Sequence, residues 1–596
     1  MRLRDSWCMA LAVCACLGWA ACSDDDGDPV EPQPDPPTVT TISSSNLTPG
    51  DTLIINGSNF AIPPSANQVK FTNPLGVSTA FAGSETQLEV VVDQDATSGP
   101  ITVTTEGGFD EGPTVTVNRG IGDFFVFGGL GSSYVLSLPN PTATTRYLVI
   151  PHGTNASAPY IDDYGYSIQT AAVAAAPSAA LGPTRHAAAQ RTTLRESFDA
   201  ARWEQARELA ARIGAPEKSR PDAAGAEAEA PPFRQFYVLA TTNGSALDPN
   251  SFERITADLK YTGSKCLVYA DVDTLANPAN NFDPIHFQQL GQAFDNASGI
   301  EATNVNYFGG YSDIDGNGKV IILITPVVNR LTPGGSGGFI AGFFLSVDLY
   351  TTAQVPPGTT NHAEIFYLLA ADPQSHWGNP FPIAFTADEN ISTTAHEHEH
   401  MISFSHRIFS QGGSTQVTWL EEGMAHMAES MNGFHDANQG RADIYMQDPA
   451  AISLEHATAP LSQRGGIYLF LQLMVDRYGA DILKDIVQSR CQGRPCVESV
   501  TGRNFYDLVA EFLAALYLSG KGITSDPRFN YTSIDLDDYG SVIPANGLIG
   551  VDSDGTVRRS SGDYYLYNGT LGVDTEFMFV EQTPGIRLRN AIVRVQ

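Results

Sequence analysis

The sequence has few cysteines and few basic residues. Seven cysteines are spread over 596 residues without a C-x-x-C pair, which excludes a zinc site built on such paired thiolates. The 34 Lys and Arg residues are outnumbered by 66 Asp and Glu, and the formal net charge is −32. Contacts to phosphates need clustered Lys and Arg, so the sequence argues against nucleic acid as a partner. Any metal must be held by nitrogen and oxygen atoms.

The N-terminus predicts export. The apolar run from Met9 to Leu17 follows basic residues and is too short to span a bilayer, as in a signal peptide. Ala20-Ala21-Cys22 resembles a bacterial lipobox, which implies acylation of Cys22 and a membrane anchor facing the periplasm or the cell exterior. Trp19 stands where an aliphatic residue is usual. An ordinary cleaved signal peptide and a secreted product therefore remain the alternative.

Short β-type runs follow a Pro- and Asp-rich tether, which is too polar to bury a core. TPGDTLIINGSNF, VKF and SGPITVTTEGG predict a small β-sandwich over residues 39–118 and resemble the IPT/TIG immunoglobulin-like domain. That resemblance implies a spacer or a binding module rather than catalysis. Further strands are predicted over residues 119–170, which would form a second β-rich module.

The composition changes to Ala, Glu and Arg over residues 171–231. Residues 194–213 have apolar side chains at helical spacing and predict a charged surface helix. APEKSRPDAAGAEAEAPP then predicts a flexible linker. A protease could have its propeptide boundary here, and a plain interdomain linker explains the same composition.

Mixed strand and helix patterns begin at Phe233, and helical patterns dominate from about residue 391 to 520. Length and patterning together predict a multidomain chain with immunoglobulin-like β-sandwiches, an α+β domain and a short C-terminal β-segment. The predicted boundaries are 1–21 (signal peptide), 22–38 (tether), 39–118 (sandwich), 119–170 (β-rich module), 171–231 (helix and linker), 232–528 (α+β domain) and 529–596 (C-terminal β-segment).

TTAHEHEHMISFSH, residues 393–406, holds four of the 12 histidines. His396 and His400 form H-E-x-x-H, and residues four apart on a helix can present both imidazoles to one ion. Glu397 would lie beside that ion without ligating it, where it can act as a general base towards water. The alternative is an exposed helix with solvated histidines. The presence of a third ligand distinguishes a metal site from such a helix.

Two residues compete for the position of the third ligand. His406 has metzincin spacing, but Ser403 replaces the glycine that would turn the chain. On a continuing helix His406 would lie ~9 Å beyond His400 and on another face. The alternative is Glu422, in a second predicted helix.

That second helix is predicted over QVTWLEEGMAHMAESMNG, with a capping box between Thr418 and Glu421. Glu422, His426 and Glu429 would then line one face. Packed against the first helix, Glu422 would complete a His₂Glu site with one open position, the arrangement of catalytic zinc.

WLEEGMA resembles the W-L-N-E-G-x-A element of gluzincins, with Glu421 where Asn is common. Together with YADVD, SDIDGNGKVIILIT and RGGIYLFLQLMVDRYG, it resembles the hyicolysin family of zinc peptidases over roughly residues 233–520. The resemblance implies that His396, His400 and Glu422 bind zinc, that Glu397 is the general base, and that the substrate is a protein or peptide.

Other residues near these motifs have two interpretations each. Glu429 could accept a hydrogen bond from a ligand histidine or be a plain surface carboxylate, and His426 could join it or serve as an alternative ligand. Tyr468 is the candidate for steadying an oxyanion, with core packing as its alternative. We expect His398 and Glu399 to face neighbouring residues or solvent.

Asp313, Asp315 and Asn317 occupy positions 1, 3 and 5 of a calcium-type loop, with glycine at position 6. Position 12 is Ile324, so the bidentate glutamate of an EF-hand is missing. A bare turn before the strand VIILIT is the favoured alternative to calcium binding.

The sequence thus predicts an exported zinc endopeptidase that hydrolyses peptide bonds of extracellular proteins. A catalytically inactive zincin-fold adhesin or binding lipoprotein is the alternative, and a zinc hydrolase acting on another bond is a third. The intact Glu397 favours an enzyme, because a structural metal site needs no base.

Overall fold

The computed structural model describes most of the chain beyond residue 32. The described ranges are 33–128, 133–154, 162–170, 193–214, 230–276, 282–336, 338–546, 553–583 and 587–596. The predicted signal peptide, the lipidation candidate Cys22 and much of the 171–231 segment lie outside these ranges. Within them, no helix combines the length and apolar character needed to cross a membrane.

The N-terminal unit is built from two sheets around one core. Their strands lie in the orders β1-β3-β7-β6 and β2-β9-β8-β4-β5. Alternate side chains such as Leu53, Ile55, Val69 and Val103 are buried between the sheets, as the alternation of apolar and polar residues predicts. The strands are β1 (Thr38–Ile42), β2 (Asn46–Leu47), β3 (Thr52–Ser58), β4 (Gln68–Phe71), β5 (Val77–Thr79), β6 (Ala82–Ser84), β7 (Gln87–Val91), β8 (Gly99–Thr105) and β9 (Gly108–Val117).

Within the described ranges, four more strands and one helix precede the α+β region. They are β10 (Phe124–Phe127), β11 (Ser133–Leu138), β12 (Arg146–Gly153), β13 (Tyr164–Thr170) and α1 (Leu194–Ile213). Helix α1 begins with a capping box, in which Thr193 Oγ1 accepts from the backbone N–H of Glu196 and the Glu196 carboxylate accepts from that of Thr193.

The prediction that α1 is a surface helix is wrong. Phe198, Trp203, Ala206 and Leu209 are buried in the core of the α+β region. The charges on this helix hid its role, because several of them are themselves buried against oppositely charged partners.

A six-stranded sheet forms the first half of the α+β region, in the order β14-β15-β16-β17-β19-β18. Strands β16, β17 and β19 run parallel, and β18 pairs antiparallel with β19 at one edge. The elements are β14 (Phe233–Leu239), β15 (Phe252–Thr262), β16 (Cys266–Asp271), α2 (Val272–Ala276), α3 (Pro284–Asp295), α4 (Ile300–Phe308), β17 (Val320–Ile324), α5 (Pro326–Arg330), β18 (Gly342–Phe344) and β19 (Ile365–Leu368).

Helices make up the second half, and α7, α9 and α12 share one apolar core. A π-helical turn, Ser405–Ser410, extends α6, and a disulfide joins Cys491 to Cys496. The helices are α6 (Ile383–Phe404), α7 (Thr418–Met431), α8 (Asp436–Gln447), α9 (Leu461–Tyr478), α10 (Asp481–Gln488), α11 (Arg494–Thr501) and α12 (Phe505–Leu518). Single 3₁₀ turns span Pro64–Ala66, Pro249–Ser251, Ser346–Leu349, Pro449–Ala451, Pro527–Phe529 and Leu536–Tyr539.

The C-terminal strands return to the strands that precede α1. They are β20 (Ala545–Asn546), β21 (Ser553–Val557), β22 (Tyr565–Asn568), β23 (Thr575–Glu581) and β24 (Leu588–Arg594). The resulting sheets have the orders β10-β24-β12-β22-β20 and β11-β23-β13-β21. The two segments that we predicted as separate, 119–170 and 529–596, therefore share one pair of sheets. The α+β region is inserted between them.

Candidate metal centre

The two histidines of H-E-x-x-H lie one turn apart on α6. Their ring centroids are 4.7 Å apart and the ring planes meet at 89°. Buried polar contacts hold this helix to the sheet region and to α4: Asn390 Nδ2 donates to the carbonyl of Leu369, and Asn304 Nδ2 donates to that of Ala395. The histidines are buried, so the interpretation as an exposed, solvated helix is wrong.

Helix α7 brings Glu422 to the same point. Glu422 Oε2 lies 3.6 Å from His396 Nε2, and Oε1 lies 3.9 Å from His400 Nε2. One ligand atom from each of the three residues lies within 4.8 Å of the others. His396, His400 and Glu422, the predicted ligands, are therefore assembled; we call them the metal trio.

The chemistry of the trio suits a metal ion. His396 Nε2 is buried and has no hydrogen-bond partner among the described residues, which is costly unless a cation or water fills the space. Two imidazole nitrogens and one carboxylate form a donor set typical of catalytic zinc. The residues present thus fit a zinc ion.

Positive charge surrounds the Glu422 carboxylate. Arg464 Nη1 of α9 lies 2.7 Å from Oε2, and the Trp203 indole N–H donates to Oε1 at 3.0 Å. Burial by itself raises the pKa of Glu422, but Arg464 and the two imidazoles outweigh burial and hold this pKa well below its ordinary value. Glu422 is consequently ionised, as a metal ligand must be.

Glu397 lies beside the trio and has a fixed orientation. Its Oε2 accepts a hydrogen bond of 2.8 Å from the backbone N–H of Phe344, on the edge strand β18. Its Oε1 lies 3.6 Å from Arg195 Nη2 of α1 and accepts no hydrogen bond within the described ranges. One carboxylate oxygen is thus anchored by the backbone, and the other faces Arg195.

Glu429 makes the predicted contact with a histidine of the trio. Its Oε1 lies 2.9 Å from His396 Nδ1, and its Oε2 lies 3.1 Å from His426 Nδ1 and 3.3 Å from Arg441 Nη1. When His396 Nδ1 donates to Glu429, Nε2 is left unprotonated and faces the metal position. His396, His426 and Glu429 also form a compact group, so His426 stays an alternative ligand.

The predicted capping box between Thr418 and Glu421 is absent. Helix α7 is preceded by Val417, and no side chain caps it. Glu421 instead turns towards α6, where Oε1 lies 3.6 Å from His400 Nδ1 and Oε2 accepts from Ser403 Oγ at 3.0 Å. Glu421 thus contacts His400 and Ser403 of α6 instead of capping its own helix.

Neither His398 nor Glu399 faces solvent. Glu399 Oε2 lies 3.5 Å from His400 Nδ1, and burial raises the pKa of Glu399 to about 7. His398 packs edge-on against Phe294 and Tyr311, with ring centroids at 5.1 and 4.8 Å. Burial lowers the pKa of His398 to about 3, so this ring is a neutral core residue.

The structure does not bring Tyr468 to the metal trio. Its hydroxyl lies 3.4 Å from Ser430 Oγ and 3.3 Å from Tyr539 OH, inside the helical core. The prediction that Tyr468 steadies an oxyanion is therefore corrected in favour of packing. His406 lies in the π-helical turn beside Gly309 and outside the trio, as predicted.

Sequence reasoning missed the contributions of α1 and Arg464. Trp203 packs edge-on against His400, with ring centroids 4.7 Å apart. Asp199 links Arg195 Nε at 2.6 Å to Arg464 Nη2 at 2.7 Å. The spacing of these residues does not indicate that they meet. The signal that the sequence offers is a tryptophan within a charged, Ala-rich segment, because such a large apolar side chain is usually buried.

The calcium-type loop is satisfied largely by its own turn. Asp313 Oδ1 accepts from the backbone N–H of Gly318 at 3.0 Å, and both Asp315 oxygens accept from Asn317 at 3.2 and 2.6 Å. Glu364, just before β19, brings a third carboxylate within 4.8 Å of the two aspartates. The bare turn and a cation site both remain compatible with this geometry.

Comparison with solved structures gives partial matches of low score; no protein-family model and no curated protein matches the chain. A protein of unknown function from Bacteroides thetaiotaomicron is 18% identical over 23% of this chain and 31% of its own, with a TM-score of 0.14. An auxiliary nutrient binding protein from that organism is 14% identical over 22% of this chain and 26% of its own, with a TM-score of 0.14. SGBP-B from a xyloglucan utilization locus in Bacteroides uniformis is 15% identical over 23% of this chain and 51% of its own, with a TM-score of 0.12. The matched parts span about half or less of those proteins.

Proposed function

We propose that this chain is an exported zinc-dependent endopeptidase of the gluzincin type, similar to the hyicolysin family. The observation that carries the proposal is the convergence of His396, His400 and Glu422 from two helices, with Glu397 alongside. In the same proposal the α+β region is a zincin-like catalytic domain, and its sheet with an antiparallel edge strand next to α6 supports this assignment.

Zinc bound at the trio would lower the pKa of water towards ~7 and polarise a peptide carbonyl. The chain itself supplies proton transfer: Glu397, held by the N–H of Phe344, accepts a proton from the attacking water and passes it to the leaving amine. Arg464 orients the Glu422 carboxylate, and Glu429 orients the His396 ring.

The remaining parts of the chain would place this domain outside the cell. Acylation of Cys22 would hold it at the bacterial membrane, or cleavage would release it, and the IPT/TIG-like sandwich would act as a spacer or binding module. The substrate would be an extracellular protein. The other candidate is an inactive zincin-fold adhesin, and it requires Glu397 to have no chemical role.

Glu397→Gln tests the proposal. This isosteric change should retain one zinc per chain and lower casein hydrolysis by about 10²–10⁴-fold, the usual contribution of a general base. The matched control is Asp388→Asn, which makes the same charge change at an exposed position of α6 and should leave hydrolysis unaltered.

Zinc content and chelator-sensitive cleavage of unfolded casein are the measurements. Full activity in Glu397→Gln would refute the role of the base. Zinc-loaded protein that cleaves neither casein nor a mixed peptide library, either as the wild type or as Trp203→Ala, would favour the adhesin.

A further inference from the structure

The proposed catalytic groups have very little exposure to solvent. The exposed fractions are 3% for His396, 2% for Glu397, 5% for His400 and 1% for Glu422. An endopeptidase must admit a polypeptide to these groups and to the open metal position. Whatever covers them must therefore move before a substrate can bind.

Helix α1 is one element that covers them. The Trp203 side chain reaches both helices of the site, because its N–H donates to Glu422 Oε1 at 3.0 Å while its ring packs against His400. Trp203 thus occupies the space in front of two of the three ligands. A substrate chain and Trp203 cannot share that space.

The N-terminal turn of α1 engages the proposed general base. Arg195 Nη2 lies 3.6 Å from Glu397 Oε1, the oxygen that proton transfer requires. Asp199 holds Arg195 in place through an ion pair of 2.6 Å and is itself paired with Arg464. A guanidinium in this position obstructs the approach of water to that oxygen.

Two further contacts fix α1 across the cleft. Glu196 Oε1 accepts from the backbone N–H of Leu461, at the start of α9. Phe198 packs edge-on against Phe343 of the edge strand β18, with ring centroids 5.3 Å apart. The helix therefore bridges both walls of the site, from the sheet edge to the helical core.

We infer that α1 is an autoinhibitory segment, bound in place of substrate, and that this chain is held latent until α1 leaves the site. The inference rests on the proposed peptidase function. It makes a specific claim about energy: the contacts of Trp203 and Arg195 stabilise the closed state alone, so removing them shifts the population towards the open state.

Trp203→Ala in the zinc-loaded full chain tests the inference. Loss of a hydrogen bond to a charged group together with a buried ring should raise the rate of casein hydrolysis at least about tenfold. Trp203→Phe keeps ring packing and removes the N–H, so it should give a smaller rise. Glu208→Ala, at an exposed position of the same helix, is the matched control and should leave the rate unchanged.

A second measurement needs neither metal nor activity. In the metal-free chain, carbethoxylation of His396 and His400, followed by peptide mass spectrometry, should be faster in Trp203→Ala than in the wild type. Arg195→Gln should also accelerate it, and this variant provides the test if Trp203→Ala does not fold. Circular dichroism establishes that each variant is folded.

The outcomes separate the two proposals. Equal or lower hydrolysis in the folded variants, with zinc retained and histidine modification unchanged, would show that α1 is a permanent wall and overturn the inference while leaving the peptidase intact. Faster modification without hydrolysis of any peptide would uphold the removable cover and overturn the peptidase.

Discussion

Arg464→Leu should destabilise the metal-free protein far more than the zinc-loaded protein. In the metal-free state, Arg464 Nη1 is the cation nearest to Glu422 Oε2, at 2.7 Å, and both side chains are at most 2% exposed. Removing one member of a buried pair typically costs about 3–5 kcal/mol, because the other charge is left uncompensated. Asp199 loses the same partner, which adds to the effect.

Zinc changes this outcome. A divalent cation at the trio neutralises Glu422 directly, so the carboxylate no longer depends on Arg464. At roughly 2 °C per kcal/mol for a large domain, the variant should melt about 6–10 °C below the wild type in chelator. The difference should fall to less than half of that in excess zinc.

Thermal melting followed by circular dichroism, with chelator or with zinc, provides the measurement. Arg477→Leu is the control on the same helix: Arg477 pairs with Glu511 at 2.8 Å, away from the trio, so zinc should not rescue it. If Arg464→Leu lowers the melting temperature equally with and without zinc, the reasoning that Glu422 is shared between Arg464 and the metal is refuted.

Two other predictions concern single side chains. Glu429→Gln should weaken zinc binding about 10–100-fold while leaving the fold intact, because the Glu429 carboxylate orients His396; unchanged affinity by competition with a chromophoric chelator would contradict this. Burial lowers the pKa of His152 to about 3. Below pH ~6.5 the unfolded chain therefore binds a proton that the folded chain does not. The free energy of unfolding should then fall by up to about 1.4 kcal/mol for each unit by which the pH is lowered. His152→Leu should flatten the dependence of denaturant midpoint on pH between 6.5 and 5; an unchanged slope would contradict the assignment.

The local part of the site could be predicted from sequence because helical periodicity fixes it. His396 and His400 share a face of α6 at i and i+4, and the same periodicity on the next helix predicts that Glu422 faces them. The predicted capping role of Glu421 is wrong, because Glu421 does not cap α7 and turns inward instead. Periodicity identified the facing residues, while the local cap depended on tertiary contacts.

Contacts between residues far apart in the chain could not be predicted from the sequence. Trp203 reaches Glu422 across 219 residues, and no spacing rule connects a charged Ala-rich helix with a buried carboxylate. Strand β12 likewise pairs with β24, hundreds of residues later, so the shared pair of sheets looked like two separate segments. The prediction for Tyr468 was wrong for a related reason. An apolar helix can place a tyrosine hydroxyl in the core or at a cleft, and only the packing of the helix determines which.

The metal trio is tested most directly by zinc content together with zinc-edge X-ray absorption of the purified full chain. The account predicts one zinc per chain with a shell of nitrogen and oxygen atoms at about 2.0–2.1 Å, including scattering from two imidazoles. A chain that retains no zinc, or a zinc shell that lacks imidazole scattering, would contradict it.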